Sequence, residues 1–331
     1  MQPFKFTRAA DPSAATKSLS ANETAKFIAG GTNILDLMRE GVEHPTELVD
    51  VSRLVLTQIK AVSGGVSIGA LAKNTDTANH PLIRQGYPLL TQAILAGASA
   101  QIRNMATNGG NLLQRTRCSY FYDIAMPCNK REPGSGCGAL EGINRNHAIF
   151  GASDKCIAVN PSDMSVALAA LDATVKVQGS GGKNRSIAFG EFHRLPGDTP
   201  EKDNSLKHGE LITSIELPKS NFAANSYYLK VRDRSSYAFA LVSVAAALEI
   251  SGGAVKNARI ALGGVAHKPW RTTEAETFLT GKAATQENFR SAAEAAMKTA
   301  KPLEHNAFKI ELGKRAIVLA LKRACGANLN K

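Results

Sequence analysis

The chain has 331 residues, of which 44% are hydrophobic and 21% charged, enough apolar content for a globular core in two or three lobes. Its formal net charge of +12 is compatible with binding to nucleic acid, an anionic membrane surface, an acidic partner or an anionic cofactor. The basic residues are dispersed and 6% of residues are aromatic, which argues against nucleic acid, and no run reaches the roughly 18 apolar residues of a membrane span.

The first residues, MQPFKFTRAADPSAATKSL, lack the apolar stretch of a secretory signal. We therefore expect that the polypeptide does not export itself, although it could travel folded with a partner that carries a signal. Five cysteines is an odd number for a disulfide framework, and the chain is neither small nor visibly secreted. The cysteine content therefore favours metal binding.

Residues 1 to about 55 are predicted to form a small α/β unit. The apolar run of residues 26–29 predicts a short strand that ends at the turn Gly30-Gly31-Thr32-Asn33. Residues 34–38 then have helical spacing, and residues 48–51 predict the next strand.

Two loops rich in glycine and asparagine could hold an anion. The turn at residues 30–33 precedes a helix, whose free backbone N–H groups suit a pyrophosphate. It matches neither the GxGxxG nor the P-loop pattern, so an ordinary tight turn is an open alternative. A second loop, Thr107-Asn108-Gly109-Gly110-Asn111, follows a helical stretch. Together the loops suggest a long diphosphate ligand held from two sides.

The segments before and after residues 107–160 have a clear periodicity of apolar residues. It predicts a β-hairpin at 59–70, helices at 74–80, 89–97 and 164–171, a second hairpin with a strand at 174–178 and its turn at 179–182, and a strand at 211–217. A domain boundary is predicted at about residue 219. It is followed by a strand at 227–231, a long apolar stretch at 239–250, a strand at 258–264 and a largely helical segment from Thr273.

Residues 107–160 lose this periodicity, and they contain four cysteines, Cys118, Cys128, Cys137 and Cys156. The spacing Cys-x9-Cys-x8-Cys-x18-Cys fits neither zinc fingers nor ferredoxin-type runs, which place ligands closer together. Four unrelated buried thiols, two disulfides, a zinc site and an iron–sulfur cluster therefore remain alternatives. The fifth cysteine, Cys325, is predicted to be a buried thiol in a helix.

The setting of these cysteines favours a cluster. Four basic residues near them in sequence would balance the negative charge of a thiolate-bound [4Fe–4S] core, and glycines around Cys137 would let backbone N–H groups turn toward sulfur. His147 could donate to a ligand, although a surface or capping role is the favoured interpretation. The four basic residues are Arg115, Arg117, Lys130 and Arg131.

Several motifs resemble the medium, FAD-binding subunits of the xanthine dehydrogenase family of molybdenum hydroxylases. They are the segment 26–33, the Gly109-Gly110-Asn111 loop, Pro161-Ser162-Asp163 and residues 228–232. The cysteine segment further resembles the insertion of the bacterial aldehyde oxidoreductase branch, in which the medium subunit carries a [4Fe–4S] cluster as well as FAD. The resemblance covers essentially the whole chain.

This resemblance implies an α+β fold: a two-lobed FAD-binding domain of the vanillyl-alcohol-oxidase or PCMH type, followed by a carbon-monoxide-dehydrogenase-flavoprotein-like C-terminal domain. The implied bounds are 1–219, with lobes at about 1–55 and 56–219 and an iron–sulfur insertion at about 112–158, and then 220–331. The implied cluster ligands are Cys118, Cys128, Cys137 and Cys156. The implied FAD-binding residues are Lys26, Phe27, Ile28, Ala29, Gly30, Gly31, Thr32, Asn33, Ile34, Thr107, Gly110, Asn111, Asp163, Ile212 and Lys230.

The resemblance also implies a role in electron transfer. A large subunit with the molybdenum cofactor would oxidise an aldehyde to a carboxylic acid, and two [2Fe–2S] clusters on a small subunit would pass electrons to this FAD and an external acceptor. No catalytic residue for the aldehyde chemistry is expected on this chain, nor insertion into a membrane. Similar proteins are periplasmic, exported folded with a partner, and the cytoplasm is the alternative. A standalone flavoprotein reductase and a zinc-stabilised interaction protein are the competing functions.

Overall fold

The structure, a computed structural model, describes residues 1–326, and three β-sheets organise this part of the chain. The first sheet is parallel, with strand order β1-β3-β2. Helices make the crossovers between its strands, as parallel pairing requires. The elements of this lobe are β1 Lys5–Arg8, α1 Pro12–Ser20, β2 Lys26–Ile28, α2 Ile34–Arg39 and β3 Glu47–Asp50.

The second sheet is antiparallel and has five strands in the order β4-β5-β8-β6-β7. Side chains of β6 alternate between buried and half-buried, because successive residues of a strand point to opposite faces. The elements are β4 Ile59–Val62, β5 Gly65–Gly69, α3 Asn74–Asn79, α4 Pro81–Gly86, α5 Pro88–Ala96, α6 Ala100–Met105, α7 Asn108–Leu112, α8 Ser119–Tyr122, α9 Asp163–Ala170, β6 Thr174–Gln178, a 3-10 turn Ser180–Gly182, β7 Asn184–Ala188, α10 Phe189–Phe192 and β8 Leu211–Pro218.

The third sheet is antiparallel, with the order β12-β11-β10-β9, and three helices follow it. Its strand β10 is buried on both faces: Ala245 and Ala247 join the core of the second lobe, while Val244 and Ala246 join the C-terminal core. This explains its continuous apolar run. The elements are β9 Ser226–Val231, β10 Val242–Ser251, β11 Ala254–Gly263, β12 Trp270–Arg271, α11 Thr273–Leu279, α12 Gln286–Met297 and α13 Phe308–Ala324.

The cysteine insertion between α7 and α9 has one short helix, α8, as its regular structure. Its end is embedded in the C-terminal core: Ile149 and Phe150 belong to that core, and both donate backbone N–H groups to the carbonyl of Val265 at 2.9 and 3.0 Å. The ring of Phe150 stacks on Trp270 with centroids 4.9 Å apart. Tertiary contacts rather than local periodicity therefore hold this segment.

The predicted helices and strands are present with small shifts at their ends. One prediction is wrong: residues 107–111 are not a loop, because Thr107 caps the short helix α7 by accepting a hydrogen bond from the N–H of Gly110 at 3.2 Å. The apolar stretch 239–250 becomes strand at Val242. No helix in the part of the chain that the structure describes is long and apolar enough to cross a bilayer.

Candidate flavin cavity and cysteine cavity

A cavity of about 940 Å³ lies where the two N-terminal lobes and the C-terminal domain meet, and we call it the flavin cavity. Thr32 and Asn33 reach it from the first lobe, and Gly110 and Asn111 from the second. The predicted sites Asp163 and Lys230 also line it. Its size falls within the range of cofactor pockets.

The two glycine–asparagine segments approach each other closely at this cavity. A Cβ atom built on Gly30 would lie 2.0 Å from the carbonyl oxygen of Met105, two residues before Thr107, so only glycine fits there. Gly31 has φ +72°, a left-handed conformation that glycine adopts without strain. The first turn therefore packs against the residues just before the second segment, and both segments reach the same cavity.

A network of buried amides fixes the second segment. The side chain of Asn111 donates to Asn74 at 2.9 Å, and its oxygen accepts from the hydroxyl of Ser162 at 2.6 Å. Asn74 in turn donates to Asn108 at 2.9 Å. Because buried amides need partners, this network holds the α7 N-terminus in one position.

Asp163, at the start of α9, anchors two residues of strand β9. Its two carboxylate oxygens accept from the Tyr228 hydroxyl and the Lys230 ammonium, each at 2.7 Å. Burial and the neighbouring Asp163 charge raise the pKa of Tyr228 well above its usual range, so the phenol remains a donor. The charge of Lys230 is thus neutralised by Asp163 and lies almost entirely away from solvent.

The charges that line the flavin cavity leave a positive excess. Three ion pairs are Arg117 with Asp36, Arg145 with Asp233, and Lys230 with Asp163. Two more arginines, Arg103 and Arg234, line the cavity, and neither has a carboxylate partner among residues 1–326. Two unpaired cations complement the two negative charges of a diphosphate.

Several predicted FAD-binding residues do not line the cavity. Ile212 is buried in the core behind α7, where it faces Gly109, and Lys26 points outward with its ammonium 3.8 Å from Glu43. These residues would therefore contribute to a binding site by supporting its loops rather than by contacting the ligand. The residues in this supporting position are Lys26, Phe27, Ile28, Ala29, Gly30, Gly31, Ile34, Thr107 and Ile212.

A second, narrow cavity is lined by all four clustered cysteines, and we call it the cysteine cavity. Their thiols are free, which contradicts the disulfide alternative, and Cys128 and Cys137 face each other in an antiparallel bridge. Burial, with a contribution from the other cysteines, raises the pKa of Cys118 to about 12 and that of Cys156 to about 11. Within residues 1–326, no group of three or more His, Cys, Asp or Glu side chains is arranged to hold a metal ion.

The donor chemistry of this cavity nevertheless fits an iron–sulfur cluster. Four thiols and no carboxylate line it, which is the ligand set that [4Fe–4S] clusters take. Gly134 and Gly136 have positive φ values, but their N–H groups donate to the side-chain oxygen of Asn129, at 3.1 and 2.9 Å, and not to sulfur as the sequence suggested. The N–H of Ala158 instead lies 3.5 Å from the sulfur of Cys156.

The basic residues near the cysteines serve a different purpose from the one their sequence position suggested. Lys130 alone among the four lines the cysteine cavity. Arg115 instead pairs with Glu43 and Asp203, at 2.6 and 2.8 Å, and Arg131 donates to backbone carbonyls. These contacts tie the insertion to both N-terminal lobes.

Lys130 is fully buried, and its ammonium contacts three groups at 2.6 Å: the carbonyl of Pro200, Asp203 and the ring of His267. Burial alone would raise the pKa of Asp203, but the Lys130 and Arg115 charges hold it well below its usual range. Burial lowers the pKa of His267 to about 4, with the Lys130 charge adding to the effect. A neutral imidazole and an ionised carboxylate therefore face the lysine.

His147 is not a surface or capping residue, which corrects the favoured sequence interpretation. It is buried, and its Nε2 lies 3.1 Å from the sulfur of Cys118. Burial lowers its pKa to about 4, and the charge of Lys309 adds to that effect. Thr116, Cys118, Tyr120 and His147 line both cavities, so these four residues form the wall between them.

Sequence reasoning missed residues in and beside the flavin cavity, and one of them, Tyr228, which donates to Asp163, had a signal. Tyr228 and Lys230 are two positions apart on a strand, which puts both side chains on one face. Asn74 had no comparable signal, because its partners Asn108 and Asn111 lie on a distant segment, and Arg103 belongs to no recognisable motif.

Comparisons with known proteins agree with this geometry. The family described as FAD binding domain in molybdopterin dehydrogenase matches residues 2–220, and the CO dehydrogenase flavoprotein C-terminal domain matches residues 227–324. The chain therefore belongs to the FAD-binding medium subunits of the molybdenum hydroxylase family. It is a flavoprotein subunit of an oxidoreductase.

Individual relatives support the assignment. The chain is 49% identical over 325 residues to the aldehyde oxidoreductase FAD-binding subunit PaoB of Escherichia coli (strain K12), covering 98% of this chain and 99% of that protein. It is 29% identical to the glyceraldehyde dehydrogenase medium chain of Sulfolobus acidocaldarius, over 84% of this chain and 82% of that protein.

Solved structures share the fold at lower identity. The carbon monoxide dehydrogenase structure from Hydrogenophaga pseudoflava superimposes with a TM-score of 0.77 at 24% identity, covering 98% of both chains. The quinoline 2-oxidoreductase structure from Pseudomonas putida 86 gives 0.76 at 24% identity, again over 98% of both chains. The expected two-domain α+β fold is confirmed, while the boundary at about residue 219 stays a prediction.

Proposed function

We propose that this chain is the FAD- and [4Fe–4S]-containing electron-transfer subunit of a heterotrimeric, molybdenum-dependent aldehyde oxidoreductase. The observation that carries the proposal is the flavin cavity, where both glycine–asparagine segments meet beside a wall that also faces four cysteine thiols. The 49% identity to an aldehyde oxidoreductase subunit supports the aldehyde as substrate class.

The reaction of the whole assembly sets the task of this subunit. Oxidation of an aldehyde to a carboxylic acid takes one oxygen from water and releases two electrons and two protons. A large molybdenum-cofactor subunit would carry out this step, and a small subunit with two [2Fe–2S] clusters would deliver the electrons to FAD on this chain. An external acceptor then takes them, so the chain needs no acid or base for the aldehyde chemistry.

The residues of this chain bind and orient the flavin. Thr32 and Asn33 would present their backbone to the diphosphate from the first lobe and Gly110 and Asn111 would border it from the second, while Arg103 and Arg234 supply the positive excess. Asp163 and Lys230 form an ion pair on the polar side of the cavity, where they would offer hydrogen bonds rather than net charge to the flavin.

The four cysteines would hold the [4Fe–4S] cluster. All four face one enclosed space, and the protonated thiols that burial favours would ionise on binding iron. The insertion has little apolar content of its own, so the cluster would also order it.

Purification of the complex tests this proposal. We expect flavin absorption bands with a broad iron–sulfur shoulder, about four iron atoms on this chain, and a molybdenum-containing partner. A colourless protein that holds zinc would refute it. A yellow protein that purifies alone and reduces its own substrate would instead establish a standalone reductase.

We also propose a periplasmic location, reached by folded co-export with a signal-bearing partner. The support is the resemblance of the cysteine segment to that of periplasmic enzymes. Cell fractionation, with and without the partner's signal sequence, tests this location. Recovery in the cytoplasm in both cases would contradict it.

A further inference from the structure

The wall between the two cavities contains one side chain that can donate a hydrogen bond to a cysteine sulfur. His147 lines both the flavin cavity and the cysteine cavity, and its Nε2 lies 3.1 Å from the sulfur of Cys118. Its other ring nitrogen, Nδ1, is buried and has no hydrogen-bond partner among the described residues. The ring thus makes one polar contact, and that contact is to a predicted ligand.

This contact has a defined direction when Cys118 is a ligand. A thiolate carries no proton, so it can only accept, and a neutral imidazole has one N–H to give. The proton must then be on Nε2, with Nδ1 as the bare nitrogen. An unpaired Nδ1 is easier to bury as a bare acceptor than as an unsatisfied donor, which agrees with this tautomer.

Residues of the C-terminal domain fix the backbone of His147 by hydrogen bonds. The carbonyl of His147 accepts from the ammonium of Lys309 at 2.9 Å and from the side chain of Asn306 at 3.3 Å. Both donors are completely buried, and Lys309 also donates to the carbonyl of Gly264 at 2.8 Å. The position of the imidazole is therefore set by α13 and the turn before it rather than by the insertion alone.

We propose that His147 is a positioning residue that donates its Nε2–H to the Cys118 thiolate and thereby raises the reduction potential of the cluster. Hydrogen bonds to ligand sulfurs draw negative charge from the cluster and favour its reduced form. Because His147 lines both cavities, this contact would lie between a cluster in the cysteine cavity and a flavin in the flavin cavity. The inference rests on the proposed function, since it requires the cluster.

Two substitutions separate the hydrogen bond from the bulk of the ring. His147→Leu removes the donor, while His147→Gln places an amide N–H close to the position of Nε2. His305→Leu is the control, because His305 is a nearby half-exposed histidine whose ring pairs only with Glu304. All variants are made in the full complex.

The measurement is the midpoint potential of the [4Fe–4S] signal in an EPR-monitored redox titration, with iron content and thermal midpoint beside it. We expect a lower potential in His147→Leu, recovery of most of the shift in His147→Gln, and no change in His305→Leu. If only His147→Leu loses the cluster while His147→Gln keeps it, the donor role is also supported.

Two results would overturn the inference. One is an unchanged potential in His147→Leu at full iron content, and the other is loss of the cluster from both His147 variants, which would make the ring's packing decisive. An unmodified complex without a [4Fe–4S] signal would instead refute the proposed function. The two failures are therefore distinguishable.

Discussion

Gly30 provides the sharpest test of how the flavin cavity is built. A Cβ atom at this position would lie 2.0 Å from the carbonyl oxygen of Met105 and 2.8 Å from its carbonyl carbon. The obstacle is backbone, so no side-chain rotation can relieve the contact. Gly30→Ala must therefore push the first turn away from the segment that precedes α7.

The magnitude follows from that overlap. A normal carbon–oxygen contact needs about 1 Å more, and overpacking of this kind costs about 1–3 kcal/mol. In the free protein the two segments can separate to relieve the strain, but a bound diphosphate requires them together. The strain then opposes binding, so we expect the Kd for FAD to rise about 5- to 150-fold.

Flavin fluorescence quenching of the deflavinated complex measures this change. Gly86→Ala is the matched control, because nothing lies within 4 Å of a Cβ atom at Gly86, in the last turn of α4. It should leave the Kd unchanged. An unaltered Kd in Gly30→Ala, with the control also unaltered, would refute the close approach of the two segments as a requirement for FAD binding.

Three further substitutions probe the buried charges. Asp203→Asn leaves the Lys130 ammonium without its carboxylate and should destabilise the protein by about 3–5 kcal/mol, read as a lower thermal midpoint together with iron loss. An unchanged midpoint would show that the network is not stabilising. Burial lowers the pKa of Lys309 to about 7, below its usual 10.5, so unfolding takes up a proton between these values and stability should rise from pH 7 to 10.5. Lys309→Met should abolish that part of the pH slope in denaturant titrations, and an identical slope would contradict the shift. Tyr228→Phe removes one of the two side-chain donors to Asp163 and should cost about 1.5–3 kcal/mol by chemical denaturation, whereas a loss under about 0.5 kcal/mol would show that this hydrogen bond does not stabilise the fold.

The sequence predicted the regular elements because their signals are local. The helix Ile34–Arg39 and the hairpin around Gly64 follow from spacing and turn residues within a few positions. The glycine–asparagine segments were recognisable for the same reason, although the capping by Thr107 that makes the second one helical was not anticipated.

The cysteine region could not be predicted to the same depth, because distant residues decide it. Arg115 is close to Cys118 in sequence, yet its guanidinium forms ion pairs with Glu43 and Asp203. His147 is buried by Asn306 and Lys309, about 160 positions away. Such contacts leave no periodic pattern in the chain.

The embedded end of the cysteine insertion has a consequence for biosynthesis. Ile149 and Phe150 complete a core whose other members are translated later, including Val265 and Trp270. The insertion can therefore reach its final conformation only after most of the C-terminal domain has left the ribosome. Iron delivery to the four thiols is then expected to follow synthesis of nearly the whole polypeptide, and a fragment that ends near residue 220 should not retain iron.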